Sequence, residues 1–326
     1  MTTRAVLAVD LGASRTRVGL IAHDGRVVAR EERPTPRVDG PDAVVGTILD
    51  MLRSIVAAGP PELVATIEGI GIAAPGPLDP FAGRLVEPPN LGPAFRDLPL
   101  AAAIAEGMRL RAVLERDTNV AALAEGAFGA AVASAEFVYL TVSTGVGGAI
   151  VSRGELLGGA DGVAGELGHL LVDLDGPPCT CGARGHLEAI SSGVAIARAA
   201  AEAIGAGGEG ASLGARAAAA ERPLDARDVA LAEEDGDPTA GRIMARARWA
   251  FAESCVALVN TFNPELIVVG GSIARNQGER WLAPARERVR DAAFRIPGQR
   301  VRIVPAALGD DVGLVGALPL LALRRA

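Results

Sequence analysis

Residues 5–21, AVLAVDLGASRTRVGLI, and residues 136–152, EFVYLTVSTGVGGAIVS, follow one plan: a β-prone apolar run, a polar turn built on glycine, then a second apolar run. In the first copy Ala5–Asp10 reads as a strand, Gly12-Ala13-Ser14 as the turn and Arg17–Ile21 as the returning strand. His23-Asp24-Gly25 then turns the chain into Arg26–Arg30, completing a meander. In the second copy Glu136–Val142, Ser143–Gly148 and Ala149–Ser152 take those places, and Arg153-Gly154 is the further turn. Two copies of this pattern, well separated along the chain, suggest duplicated lobes facing each other.

Working outward, Pro41–Ala58 has the spacing of an amphipathic helix, and Ile67–Ala74 reads as a buried strand stopped by Pro75-Gly76-Pro77. Ala112–Glu115 is a short strand and Asn119–Ala130 a helix of small residues. Ala195–Ala206, Asp225–Glu233 and Pro238–Thr261 are predicted helices, while Gly207–Ala220 is low in complexity and reads as a surface loop or a loosely formed helix. Glu265–Val269 is a strand ending at Gly270-Gly271-Ser272, followed by a strand at Arg300–Val304 and a glycine-punctuated helix over Val312–Leu323. Alternating strands and helices predict an α/β architecture.

Composition removes several alternatives. The 326 residues are enough for two domains or one large one, and the 49% hydrophobic content is that of a globular chain. No run approaches the roughly 18 consecutive apolar residues of a membrane span, and the amino terminus has no secretory pattern, so the expected location is the cytoplasm. The net charge of −7 argues against a general nucleic-acid binder. All 32 cationic side chains are arginine. Without lysine there is no Walker A lysine, no protein-kinase strand lysine and no Schiff base, so any phosphoryl transfer uses another apparatus.

The two turns carry the first chemistry. Asp10, Gly12 and Ser14 place a carboxylate and a hydroxyl around one bend; Ser143, Thr144, Gly145, Gly147 and Gly148 offer hydroxyls and close backbone N–H groups at the other. Such loops can cradle phosphate oxygens, and a carboxylate such as Asp10 can hold Mg²⁺; taken singly, each equally reads as an ordinary hairpin turn. The second turn joins two strands and lacks the third glycine of a dinucleotide fingerprint, a poor match to a Rossmann site. A different chemistry appears in Gly165-Glu166-Leu167-Gly168-His169 and Cys179-Thr180-Cys181-Gly182-Ala183-Arg184-Gly185-His186-Leu187-Glu188. Read as Zn²⁺ ligands, His169, Cys179, Cys181 and His186 close a tetrahedral site with no open position, structural rather than hydrolytic; the alternative is a pair of buried free cysteines with incidental histidines. Glu166 and Glu188 bracket the cluster, either as groups held to read sugar hydroxyls or as solvated surface acids. Asp117 follows a short strand. It can face a ligand crevice and take a proton, although on position alone it reads as a helix N-cap.

With these pieces in order the chain resembles the ROK family of bacterial sugar kinases and sugar-responsive repressors. Asp10–Gly19 is similar to the family's first phosphate motif, with Ser14 and Arg15 where threonine and lysine are usual. Gly69–Pro77, Pro89-Asn90-Leu91, Ser143–Gly148, the zinc and sugar signature, Val268–Ser272 and Ala307–Gly316 match in turn. The resemblance implies a two-lobed, actin-like (ribonuclease H-like) ATPase fold with an interlobe cleft. It places the small lobe at 1–118 plus 308–326 and the large lobe, with the zinc loop, at 119–307. It implies ATP and Mg²⁺ at Asp10, Gly12, Ser14, Thr144, Gly145, Gly147, Gly270 and Gly271. A sugar would be held by Gly76, Asn90, Arg116, Asp117, Glu166, His169 and Glu188, with Asp117 as general base and His169 serving both zinc and sugar. It further implies a homodimer or homotetramer. Family repressors carry a DNA-binding domain before the first phosphate strand, and only a few residues precede Val6 here. Two departures stand out: His186 replaces a usual zinc cysteine, and Arg116 stands where an asparagine normally precedes the base. Guanidinium only donates hydrogen bonds. Arg116 therefore points to three outcomes: an unusual acidic or acetylated sugar, a sensor without turnover, or, if it turns away, no change.

Overall fold

The computed structural model describes residues 4–208 and 210–324; Glu209, within the low-complexity segment, lies outside them. The chain divides into two compact units. The first runs to Ala135 and includes Glu155–Ala164 and the chain from Ala307 on; the second is Glu136–Gly154 with Gly165–Ala306.

The first unit is built on β1 (Ala5–Leu11), β2 (Arg15–Ala22), β3 (Val27–Pro34), β4 (Ile67–Ala74) and β5 (Ala112–Arg116), in the order β3-β2-β1-β4-β5. β1 pairs antiparallel with β2 and parallel with β4, and β4 runs parallel to β5. β1 and the second half of β4 are central and covered on both faces, which is why they read as continuous apolar runs rather than alternating ones. One face is covered by α1 (Pro41–Ala58), whose Val44, Ile48, Met51, Leu52 and Ile55 recur at helical spacing, and by Leu100, Ala101 and Ile104 of α2 (Leu100–Met108). The other face packs Val6, Ala8 and Ile21 on Leu314, Ala317 and Leu321. α3 (Asp117–Phe128) follows β5, and its Val120 packs with Ala73 and Leu320. That packing groups α3 with the first unit, so the boundary lies beyond the expected position 118.

The second unit repeats the plan. β6 (Phe137–Val142) pairs antiparallel with β7 (Val146–Ser152) and parallel with β8 (Leu266–Gly270), which runs parallel to β9 (Arg302–Pro305). The principal order, β7-β6-β8-β9, is that of β2-β1-β4-β5. The repetition read in the sequence is thus a repetition of topology. Helices α4 (Leu187–Ser191), α5 (Gly193–Gly205), α6 (Pro238–Phe262) and α7 (Glu279–Ala292) supply the core, with Phe251 of α6 against Trp281 of α7 at a ring separation of 5.5 Å.

Of the two readings of Gly207–Ala220, Ala211–Ala219 takes the helix, anchored by buried Leu213. The closing helix breaks at Gly316 into Val312–Val315 and Ala317–Leu323. Helices α2 and α7 have no counterpart in the sequence reading; Pro284 interrupts the pattern of α7 without breaking it. Among the described residues no helix is long and apolar enough to cross a membrane.

Candidate active site and metal centre

The first turn owes its shape to side chains. Register places Asp10 directly opposite Arg17 across the β1–β2 hairpin, and Arg17 Nη1 reaches Asp10 Oδ2 at 3.3 Å. Arg17 also donates to Glu32 Oε2 (2.9 Å) and to the Asp310 carbonyl (3.2 Å). Burial holds the Asp10 carboxyl above its ordinary range, with Arg17 pulling in the opposite direction. The chain comes back against this carboxylate at Gly313, where an added methyl group would fall 2.8 Å from Asp10 Oδ2. Thr35 Oγ1 donates to the Gly12 carbonyl (2.7 Å) and meets Thr16 Oγ1 at 2.9 Å, while the Thr35 amide donates to Ser14 O (3.0 Å). Arg15 pairs with Glu32 and is otherwise exposed. Arg17 and Thr35 are residues the sequence reading missed; cross-strand register is the signal that could have found Arg17.

The second turn is held by main chain. The Ser143 amide donates to Gly145 O (2.9 Å), and the first residues of α5 come onto the turn, with the Gly193 amide on Ser143 O (2.8 Å) and the Val194 amide on Thr144 O (3.3 Å). Gly271 sits at φ 91°, where a methyl group would meet the Val142 carbonyl oxygen at 2.3 Å, so only glycine permits this approach. The sequence-predicted Thr144, Gly145, Gly147, Gly270 and Gly271 are thereby collected at one end of the second sheet. Glu188 joins them: its Oε2 accepts the Val146 amide at 3.0 Å.

Glu188 follows the metal cluster directly. His169, Cys179, Cys181 and His186 present donor atoms that all lie within 4.8 Å of one another, with Cys179 Sγ 3.7 Å from His169 Nδ1 and Cys181 Sγ 3.3 Å from His186 Nδ1. Tetrahedral Zn²⁺ with two thiolates and two imidazoles sets its ligands about 3.3 to 3.8 Å apart, so the donor set fits, histidine at 186 included. His169 faces the cluster through Nδ1 from the short turn Leu167–His169, and Glu166 stands exposed just before that turn. Cys255 is not part of this group. It is buried in α6, and burial pushes its thiol up to about 12, so it is unreactive packing.

Asp117 is the first residue of α3, at the carboxyl end of a parallel strand, and its Oδ1 accepts the Thr118 amide at 2.7 Å. Arg116 beside it is 3% exposed; Nη2 donates to Asn119 Oδ1 (3.1 Å) and to the Ala164 carbonyl, and its stem runs past Gly76. Asn90 lies in an exposed turn after Pro88. Glu125, fully buried on α3, accepts the amides of Ala130 (2.7 Å), Ala307 (2.9 Å) and Leu308 (3.0 Å), tying the closing segment to the helix. Its only sequence signal is an acid among the small residues of a buried helix face.

The family model described as "ROK family" matches residues 6–324. The chain is 33% identical to a glucokinase of Thermotoga maritima over 316 residues, 97% of this chain and 96% of that protein. It is 33% identical to an N-acetylmannosamine kinase of Shigella boydii, covering 97% of each. A ROK family glucokinase from Streptomyces griseus, solved with glucose and AMPPNP, superposes with a TM-score of 0.78 at 28% identity, covering 97% of this chain and 98% of that one.

Proposed function

The chain belongs to the ROK family of sugar kinases, with their actin-like fold, and from that premise we propose that it transfers the γ-phosphoryl group of ATP to a hexose hydroxyl with Asp117 as general base. The observation that carries this reading is the carboxylate of Asp117, oriented by the Thr118 amide at the end of β5, in a chain similar end to end to a glucokinase and an N-acetylmannosamine kinase. Asp117 takes the proton of the attacking hydroxyl as its oxygen bonds to the γ-phosphorus, and the electron pair of the broken P–O bond leaves with ADP.

The other roles follow the chemistry of each group. Asp10, Gly12 and Ser14 receive ATP on one turn; Thr144, Gly145, Gly147, Gly270 and Gly271 receive it on the other. Magnesium, when bound through Asp10, neutralises phosphate charge. Gly76, Asn90, Glu166, His169 and Glu188 bind the sugar, and Arg116, buried at the strand end that bears Asp117, positions rather than touches it. Zn²⁺ on His169, Cys179, Cys181 and His186 supplies rigidity to the segment that ends at Glu188. We place the protein in the cytoplasm, beside its ATP, as a homodimer or homotetramer, which light scattering will test.

The decisive assay is ADP release from ATP·Mg²⁺ across glucose, N-acetylmannosamine and acidic sugars. Turnover is expected with a neutral or acetylated hexose and should fall by about 10²- to 10⁴-fold in Asp117→Asn, with little change in sugar KM. Normal turnover in that variant would remove Asp117 from the mechanism. Saturable sugar binding without ADP release from any sugar would identify a sensor.

A further inference from the structure

Arg116 is buried yet does more than fill space, and the bonds it makes point away from a simple substitution for asparagine. Its guanidinium reaches the Asn119 side chain at 3.1 Å and the carbonyl of Ala164, forty-eight residues along the chain. Behind it, Asn119 Nδ2 donates to Glu115 Oε1 (2.9 Å), which also accepts the amide of Arg116 (3.0 Å), while Glu115 Oε2 takes Arg324 Nη2 at 2.7 Å. The guanidinium is thus anchored from below by a buried polar network. Its far end holds a loop: the Ala164 amide donates to Gly158 O (3.0 Å), closing residues 158–164 on themselves. A second point fixes the same loop. Gly162 lies so close to Pro80 that an added methyl group would come within 2.7 Å of its ring. The next residues in the chain are Gly165 and Glu166.

We propose that Arg116 is a positioning residue that fastens the Gly158–Ala164 loop to the strand end bearing Asp117, so that sugar affinity, rather than phosphoryl transfer, depends on it. The proposal rests on the sugar-kinase reading and deepens it. An asparagine amide at 116 is too short to make the same span. A lysine keeps the charge but replaces the planar guanidinium, whose Nη2 serves both acceptors, with a flexible and more strongly hydrated ammonium. Losing a hydrogen bond from a charged donor to the loop releases the segment that leads into Glu166, and a sugar must then order it on binding.

The test compares Arg116→Asn and Arg116→Lys with the parent protein in two measurements. In steady-state kinetics, Arg116→Asn should raise sugar KM about tenfold with kcat within about twofold, and Arg116→Lys should lie between. In hydrogen exchange, the Ala164 amide should exchange faster in Arg116→Asn, and saturating sugar should restore its protection. A fall in kcat at unchanged KM would make Arg116 a partner of the base and overturn the proposal, as would unaltered exchange over 158–164. Should Arg116→Asn fail to fold, Gly162→Ala loosens the second fixing point and must shift KM in the same direction. Altered exchange in a protein that turns over no sugar would sustain the tether and sink the kinase reading, so the two failures are distinguishable.

Discussion

In the first unit the turn between β1 and β2 is tied by side chains: Thr35 and Thr16 hold its carbonyl side, and Arg17 links Asp10, Glu32 and the Asp310 carbonyl. In the second unit the turn between β6 and β7 is tied by backbone: the start of α5, the close approach at Gly271, and one carboxylate, Glu188, on an amide. The same strand order therefore carries two kinds of surface. One presents a charged group whose ionisation can be tuned. The other presents backbone dipoles already fixed in place. The repeated topology is one frame, fitted out with side chains in one unit and with main chain in the other.

The sharpest way to break this contrast is Asp10→Asn. If the first turn works through charge, turnover should fall by about 10²- to 10³-fold. Stability should move the other way. Because burial raises the Asp10 pKa, the folded state binds that proton more tightly than the unfolded chain. Its contribution is therefore present at low pH and lost as pH rises through the folded pKa. At neutral pH the carboxylate destabilises the free protein, so Asp10→Asn should melt at the same temperature or higher. A clear drop in Tm would show that the Arg17 pair outweighs burial.

Metal removal probes the other turn. Chelation should loosen residues 169–186 and, through Glu188, the backbone at Val146, raising sugar KM by about 10- to 100-fold. Hydrogen exchange at Thr35 and Arg15 in the first unit should stay unchanged; equal loosening in both turns would dissolve the comparison. The smallest effect belongs to Thr35→Val, which leaves the Gly12 carbonyl without its hydroxyl donor and should cost about 1 to 2 kcal/mol in denaturant unfolding.

How much of this was legible depends on how local each signal is. The strands β1 and β4 and the helix α1 were readable because their apolar patterns are continuous, and Pro41–Ala58 and Ile67–Ala74 match their predicted limits. The convergence of His169, Cys179, Cys181 and His186 was readable because cysteine and histidine rarely cluster without cause, and their four donor atoms do meet. What stayed hidden acts across long separations. Glu125 reaches amides at 307 and 308, and Arg116 reaches Ala164, and nothing near either residue announces its partner. The unit boundary eluded the sequence for the same reason, since Val120 belongs with Ala73 and Leu320.

That last association has a consequence for how the protein is made. Val6, Ala8 and Ile21 on one face of the first sheet wait for Leu314, Ala317 and Leu321, and the buried carboxylate of Glu125 waits for the amides of Ala307 and Leu308. During synthesis the second unit, Glu136–Gly154 with Gly165–Ala306, has its own core complete before those residues emerge. The part of the chain made first is therefore finished last. Throughout elongation it exposes the apolar sheet face formed by Val6, Ala8 and Ile21.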